Sequence, residues 1–217
     1  MDKIKEIGRR TLTVGEEIFN SITHGIGAML SIAALILLVL YASIKGNARH
    51  IVSFSIFGST LILLYLSSAL YHSFTKEKLK NLFARFDHSA IFLLIAGTYT
   101  PYVLTVIRWW LGWVLFGIVW WLAIAGIIIR NIYPNRFRKL MLWVYILMGR
   151  MFLIAIVPMI KNLPLISSVL LFVGAWCYMI GTLFYSRRSL KFAHGVRHIF
   201  VLAGSITHFF SILYILA

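Results

Sequence analysis

The last stretch of the chain, Lys191–Ala217, reads KFAHGVRHIFVLAGSITHFFSILYILA. A basic entrance leads into an apolar run that, at about 1.5 Å per helical residue, is long enough to cross a hydrocarbon core of about 30 Å. At that entrance His194 and His198 stand four residues apart. On a helix both rings project from one face, about 6 Å apart along the axis. Polar rings in a membrane span usually meet other polar groups. The rest of the chain therefore has to be searched for partners.

The composition places this run in context. Of 217 residues, 61% are hydrophobic and only 12% are charged. A soluble domain of this size has no core large enough for so much apolar side chain. Long apolar runs recur from end to end, which predicts an all-α polytopic integral membrane protein. The net charge of +15 does not indicate nucleic acid here, because Lys and Arg collect in the cytoplasmic loops of membrane proteins. The single cysteine, Cys177, excludes an internal disulfide and a thiolate cluster. It reads as a small packing residue.

Working back from the C-terminus, the hydropathy pattern predicts seven spans. They lie near Ile18–Ile44, His50–Phe74, Phe86–Ile107, Trp110–Ile129, Leu140–Ile160, Pro164–Tyr185 and Phe192–Ala217. Residues 18–217 thus form one seven-helix transmembrane domain, preceded by a short basic segment, 1–17. Ile4, Ile7, Val14 and Ile18 in that segment are spaced for a short helix on the membrane surface or a frayed tail. Pro101 predicts a distortion in the third span, and Pro164 suits the first turn of the sixth. Trp109, Trp110 and Trp113 mark one interface, and Tyr133 and Trp143 the other.

Orientation follows from the basic residues. With the N-terminus cytoplasmic, 16 of the 21 Lys and Arg residues fall on the inner side and 4, including Arg108, on the outer. That asymmetry predicts a cytoplasmic N-terminus and an external C-terminus. The remaining one, Arg150, lies about ten residues into the fifth span, where a charge calls for a carboxylate, carbonyls or a wet cavity.

This topology supplies the partners. The second span leaves at the cytoplasmic side through LSSALYHSF, carrying His72. The third enters through FARFDHSAIF, carrying Asp87. The seventh enters through His194 and His198. Four polar groups from three helices therefore share one depth. Three histidines with a nearby carboxylate fit a catalytic zinc site, in which three protein ligands leave the fourth position to water. His72, His194 and His198 are the expected Zn²⁺ ligands, histidine being a suitable neutral nitrogen donor. Asp87 is expected to hold the water or accept its proton. Ser68, four residues before His72 on the same face, is expected to bond its ring or the reacting oxygen.

The other polar residues carry plainer expectations. His24, at the inner end of the first span, suits a hydrogen-bonded packing role or a place beside the site. His88 points about 100° away from Asp87 and is expected at the lipid interface. His208 lies about 15 Å beyond His198, too far to share its metal. His50 is expected to be solvated at the outer interface. Glu16 and Glu17 are expected to stabilise the positive end of the first helix dipole, with a place over the cytoplasmic mouth as the alternative. Ser205 is expected to pack against a neighbouring helix.

Together, EEIFNSITHGIGA, SSALYHSF, FDHSAIFLLIAGTYTPY and HGVRHIFVLAGSITHFF resemble the hemolysin III family, the bacterial branch of the progestin and adiponectin receptor group. The resemblance covers the chain from about Glu16 onward. Its spaced signature is Ser, three residues, His; then Asp; then His, three residues, His. Here it falls on Ser68, His72, Asp87, His194 and His198. The resemblance implies seven spans, a zinc ion held near the cytoplasmic face by the three histidines, and Asp87 reaching it through water. It also implies a bacterial plasma (inner) membrane location. The wider superfamily includes alkaline ceramidases, and the bacterial members carry a cytolytic name. Three functions are open, the first a zinc hydrolase of lipid amides or esters, with membrane lipids as partners, and the second a cytolytic pore. A membrane sensor with structural zinc is the third.

Overall fold

A computed structural model describes residues 12–107, 109–133, 136–186 and 191–217. Ile4, Ile7, Arg108, Arg187 and Arg188 lie outside the described residues. Among those described, seven helices are long and apolar enough to cross a membrane. The helices are α1 (Val14–Lys45), α2 (Ala48–Ser73), α3 (Glu77–Pro101), α4 (Trp110–Ile132), α5 (Arg138–Arg150), α6 (Ile156–Asn162), α7 (Leu165–Ser186) and α8 (Ala193–Leu213). Helices α5 and α6 share the fifth span. The outer surface is studded with exposed Ile, Leu, Val and Trp side chains, including Trp109, Trp110, Trp121 and Trp143. Such a surface suits lipid rather than water.

The helix starts are chemically marked. Thr13 caps α1 in a capping box with Glu16, and Asn47 does the same for α2 with His50. The second box corrects the expectation for His50. Its ring is buried, and Nδ1 accepts from the Asn47 N–H at 3.3 Å. Helix α3 begins nine residues before the expected Phe86, at Glu77. The charged stretch Glu77–Arg85 is helical but not apolar, so hydropathy alone could not see it.

Two spans are irregular, each for a local reason. Pro101 has no N–H to donate, and the residues after it, Tyr102–Val106, form a π-helical turn closed by Ile107 N–H on Tyr102 O. The distortion expected at Pro101 takes this form. In the fifth span the α-helix stops at Arg150 and passes through a 3₁₀ turn, Met151–Ala155. The cause is Tyr99 of α3. Its hydroxyl donates to Met148 O at 2.7 Å and accepts from Phe152 N–H at 2.8 Å. These are the two groups that an uninterrupted helix would pair with each other, so the side chain is inserted into the ladder. Arg150, at the break, is exposed on the bundle surface rather than buried with a carboxylate.

Tyr99→Phe should lower stability by about 1–3 kcal/mol, because it strands a buried carbonyl and N–H. Thermal unfolding in detergent checks this. An unchanged midpoint would mean that the helical ladder closes on itself.

Helix α1 packs against both α2 and α8, so it bridges the start and end of the chain. Its buried stripe is small and polar: Glu16, Asn20, His24, Gly27, Ala28 and Ser31. A Cβ on Gly27 would lie 2.5 Å from the Tyr65 ring, so only glycine permits this approach of α1 to α2. Further along α8, Ser205 does meet its neighbours. It accepts from Tyr65 OH at 2.6 Å and lies 2.9 Å from Tyr178 OH. His208 bonds Leu171 O through Nε2 at 3.1 Å.

Candidate metal centre

At the end of the bundle where α1 begins, α2 ends and α8 begins. The i, i+4 spacing on α8 and the position of His72 near the α2 terminus bring three rings together. One nitrogen from each of His72, His194 and His198 lies within 4.8 Å of the others. His72 Nε2 and His194 Nε2 are 3.1 Å apart. A tetrahedral zinc ion with Zn–N bonds of about 2.0–2.1 Å holds its nitrogens roughly 3.3 Å apart. His72 and His198 are buried at 4% and 3% exposure, and His194 is half-buried. The three rings could hold a metal ion, and the His72–His194 pair stands close to the nitrogen spacing of a zinc site.

A second observation fits an occupant. Among the described residues, eight buried side-chain atoms lack a hydrogen-bond partner, and six of them belong to Asn20, His24, Ser68 and His198. These residues surround the cluster. His24 stacks on His198 with ring centroids 3.6 Å apart. Asn20 Oδ1 faces Gly195, between the two α8 histidines. Ser68 sits one turn before His72 and is fully buried. Each such atom costs roughly 1–3 kcal/mol unless water, an ion or a ligand meets it.

Gly195 makes this packing possible. A Cβ there would fall 2.5 Å from the Phe19 ring of α1. The start of α8 is held as well. Phe192 sits at φ 58°, a left-handed conformation that is costly for a side-chain-bearing residue. Its N–H donates to Glu16 Oε1 at 2.8 Å, and its ring meets Phe19 edge-on.

The sequence expectations divide here. The three histidines meet, and Ser68 is beside one of them. Asp87 is half-buried on α3 and is not part of the three-histidine group. His24 is buried as expected, but its ring nitrogens are without the expected hydrogen bond. His88 is not a lipid-facing ring. It is half-buried, its Nδ1 contacts Ala84 O, and its carbonyl accepts from Tyr145 OH. His208 stays apart from the cluster.

The sequence offers Glu17 a place at the helix dipole or over the cytoplasmic mouth, and the structure gives it a more specific position. Its Oε2 is 2.5 Å from His72 Nδ1, and its Oε1 accepts from Lys80 Nζ at 2.6 Å. Asn20 is a residue that sequence reasoning passes over. The signal was the run of Glu16, Asn20 and His24 at four-residue intervals, a polar stripe down an otherwise apolar helix.

The fold and site define a class: a multi-pass membrane protein whose helices gather a candidate metal centre at one end. The family model described as Haemolysin-III related matches residues 12–209, and the chain belongs to that family. It is 46% identical to Hemolysin-3 of Bacillus cereus over 210 residues, covering 97% of this chain and 96% of that protein. The Hemolysin-3 homolog of Bacillus subtilis (strain 168) is also 46% identical, over 202 residues, with 93% and 95% covered. The human Monocyte to macrophage differentiation factor is 25% identical over 219 residues, covering 94% of this chain and 86% of its own. This last match agrees with the wider resemblance to the progestin and adiponectin receptor group. No solved structure gives a match.

Proposed function

We propose that this protein is a zinc-dependent hydrolase of lipid amides or esters, embedded in the bacterial inner membrane with its N-terminus and zinc site toward the cytoplasm. The observation that carries this reading is the three-histidine cluster amid unpartnered polar atoms within a lipid-facing bundle. His72, His194 and His198 hold the ion. Bound there, zinc supplies a Lewis acid for a carbonyl oxygen and lowers the pKa of a water toward about 7. Ser68 Oγ, buried and without a partner, donates to the oxygen that gains charge. Asp87 accepts the proton of the attacking water and returns it to the leaving amine or alcohol. Asn20 and His24 orient the polar head of the substrate, while the acyl chain stays in lipid.

The cytolytic name of the 46% identical relatives favours a second reading, a membrane-lysing pore. A pore needs a continuous polar lining. Against it stands an interior closed by side-chain hydrogen bonds such as Tyr65–Ser205 and Tyr102–Ser211.

The deciding experiment incubates zinc-loaded protein in detergent–lipid micelles with a fluorescent N-acyl sphingoid base and with a fatty-acid ester. Release of fatty acid that stops on chelation and returns with zinc supports the hydrolase. Dye leakage from vesicles without fatty-acid release, unchanged by chelation, supports the pore.

A further inference from the structure

We infer that Glu17 is a positioning residue for the metal centre, acting through the ring of His72; this rests on the zinc reading above. The geometry assigns each nitrogen of that ring a task. Nε2 faces the cluster, 3.1 Å from His194 Nε2. Nδ1 faces the Glu17 carboxylate at 2.5 Å. A carboxylate only accepts hydrogen bonds, so the ring proton sits on Nδ1, and the Nε2 lone pair is directed at the metal position. Metal-bound histidines commonly bond a carboxylate through the other nitrogen. That contact fixes the tautomer and ring orientation and makes the ligand a better donor.

The anchoring is unusually broad for one side chain. Glu17 lies in the first turn of α1, His72 in the last turn of α2, and Lys80, which bonds the second carboxylate oxygen at 2.6 Å, in the first turns of α3. One carboxylate therefore ties three helices at the depth of the site. The neighbouring Glu16 holds the Phe192 N–H, two residues before His194. The adjacent pair thus reaches both helices that bear the histidines: Glu17 touches the His72 ring directly, and Glu16 accepts from the backbone at the start of α8. An unpaired acid at a helix start would have needed only its dipole; two bonded oxygens indicate a defined position.

The test is zinc affinity, measured by chelator competition on detergent-purified full-length protein. Glu17→Ala should bind zinc about 10- to 100-fold more weakly. Glu17→Gln keeps an acceptor oxygen but loses the charge, and should fall between Ala and wild type. Glu77→Ala removes an exposed acid at the same end of the bundle and should bind like wild type. A purely structural role would not change the tautomer, so ¹⁵N spectra of the metal-free His72 ring provide the second readout. The proton should lie on Nδ1 in wild type and redistribute in Glu17→Ala. Wild-type affinity in Glu17→Ala, or a wild-type ring proton on Nε2, overturns the inference while leaving the zinc reading intact. A wild-type protein that binds no zinc overturns both.

Discussion

His72→Ala protein should retain zinc only at background level and bind added zinc at least about 100-fold more weakly than wild type. Outer contacts to a metal ligand are worth about 10- to 100-fold in affinity, and removing the ligand itself costs more. Of the three candidate ligands, His72 comes from α2 and the other two from α8. Its loss therefore leaves a pair on a single helix, with nothing tying the ion to the rest of the bundle. Zinc also couples to stability, since an ion that binds only the folded state stabilises it in proportion to the logarithm of its concentration over Kd. Wild-type protein should melt at a higher temperature with added zinc, and His72→Ala should not. Chelator competition and thermal unfolding in detergent check both statements. Equal affinity in the two proteins would remove His72 from the site.

Gly195→Val should produce the second large effect, through packing rather than coordination. Even the Cβ of an alanine would sit 2.5 Å from a Phe19 ring carbon and 3.1 Å from Asn20 Oδ1. Valine adds two methyls to that contact, so α1 must move away from α8. Overpacking of this kind costs about 1–3 kcal/mol. The displacement also disturbs the site, because α1 carries His24, stacked on His198, and Glu17, bonded to His72. The variant should therefore lose both thermal stability and zinc affinity. Gly117→Ala on α4 is the matched control: a Cβ there meets nothing within 4 Å. It should leave zinc binding unchanged and stability within about 1 kcal/mol of wild type, since alanine is the better helix former.

These effects separate what the sequence discloses from what it conceals. The seven spans are legible because a membrane demands about 20 consecutive apolar residues, and such runs are visible without any partner. The histidine trio is legible because spacing on α8 and alternation of the spans together bring His72 to the same end. The Tyr99 insertion is not legible: nothing in the fifth span's own residues announces that a hydroxyl from the third will break its helix. The burial of His50 depends on its reciprocal cap with Asn47, a motif that uses histidine where Glu or Gln is usual. Glu17 was assigned to the helix dipole because a first-turn acid has a sufficient local explanation. Only the packing of α1 against α2 and α8 reveals its contact with His72. Asp87, expected from the topology to hold water rather than to ligate, lies half-buried on α3 outside the three-histidine group.

The central claim is that His72, His194 and His198 hold a zinc ion. The most direct test is metal content by mass spectrometry on protein purified in detergent without chelator, beside the His194→Ala/His198→Ala double variant. Wild-type protein should carry about one zinc per chain and the variant only a background level, as expected for an ion held by these ligands. Wild-type protein without zinc, or a double variant that retains it, would show that these histidines do not hold the ion.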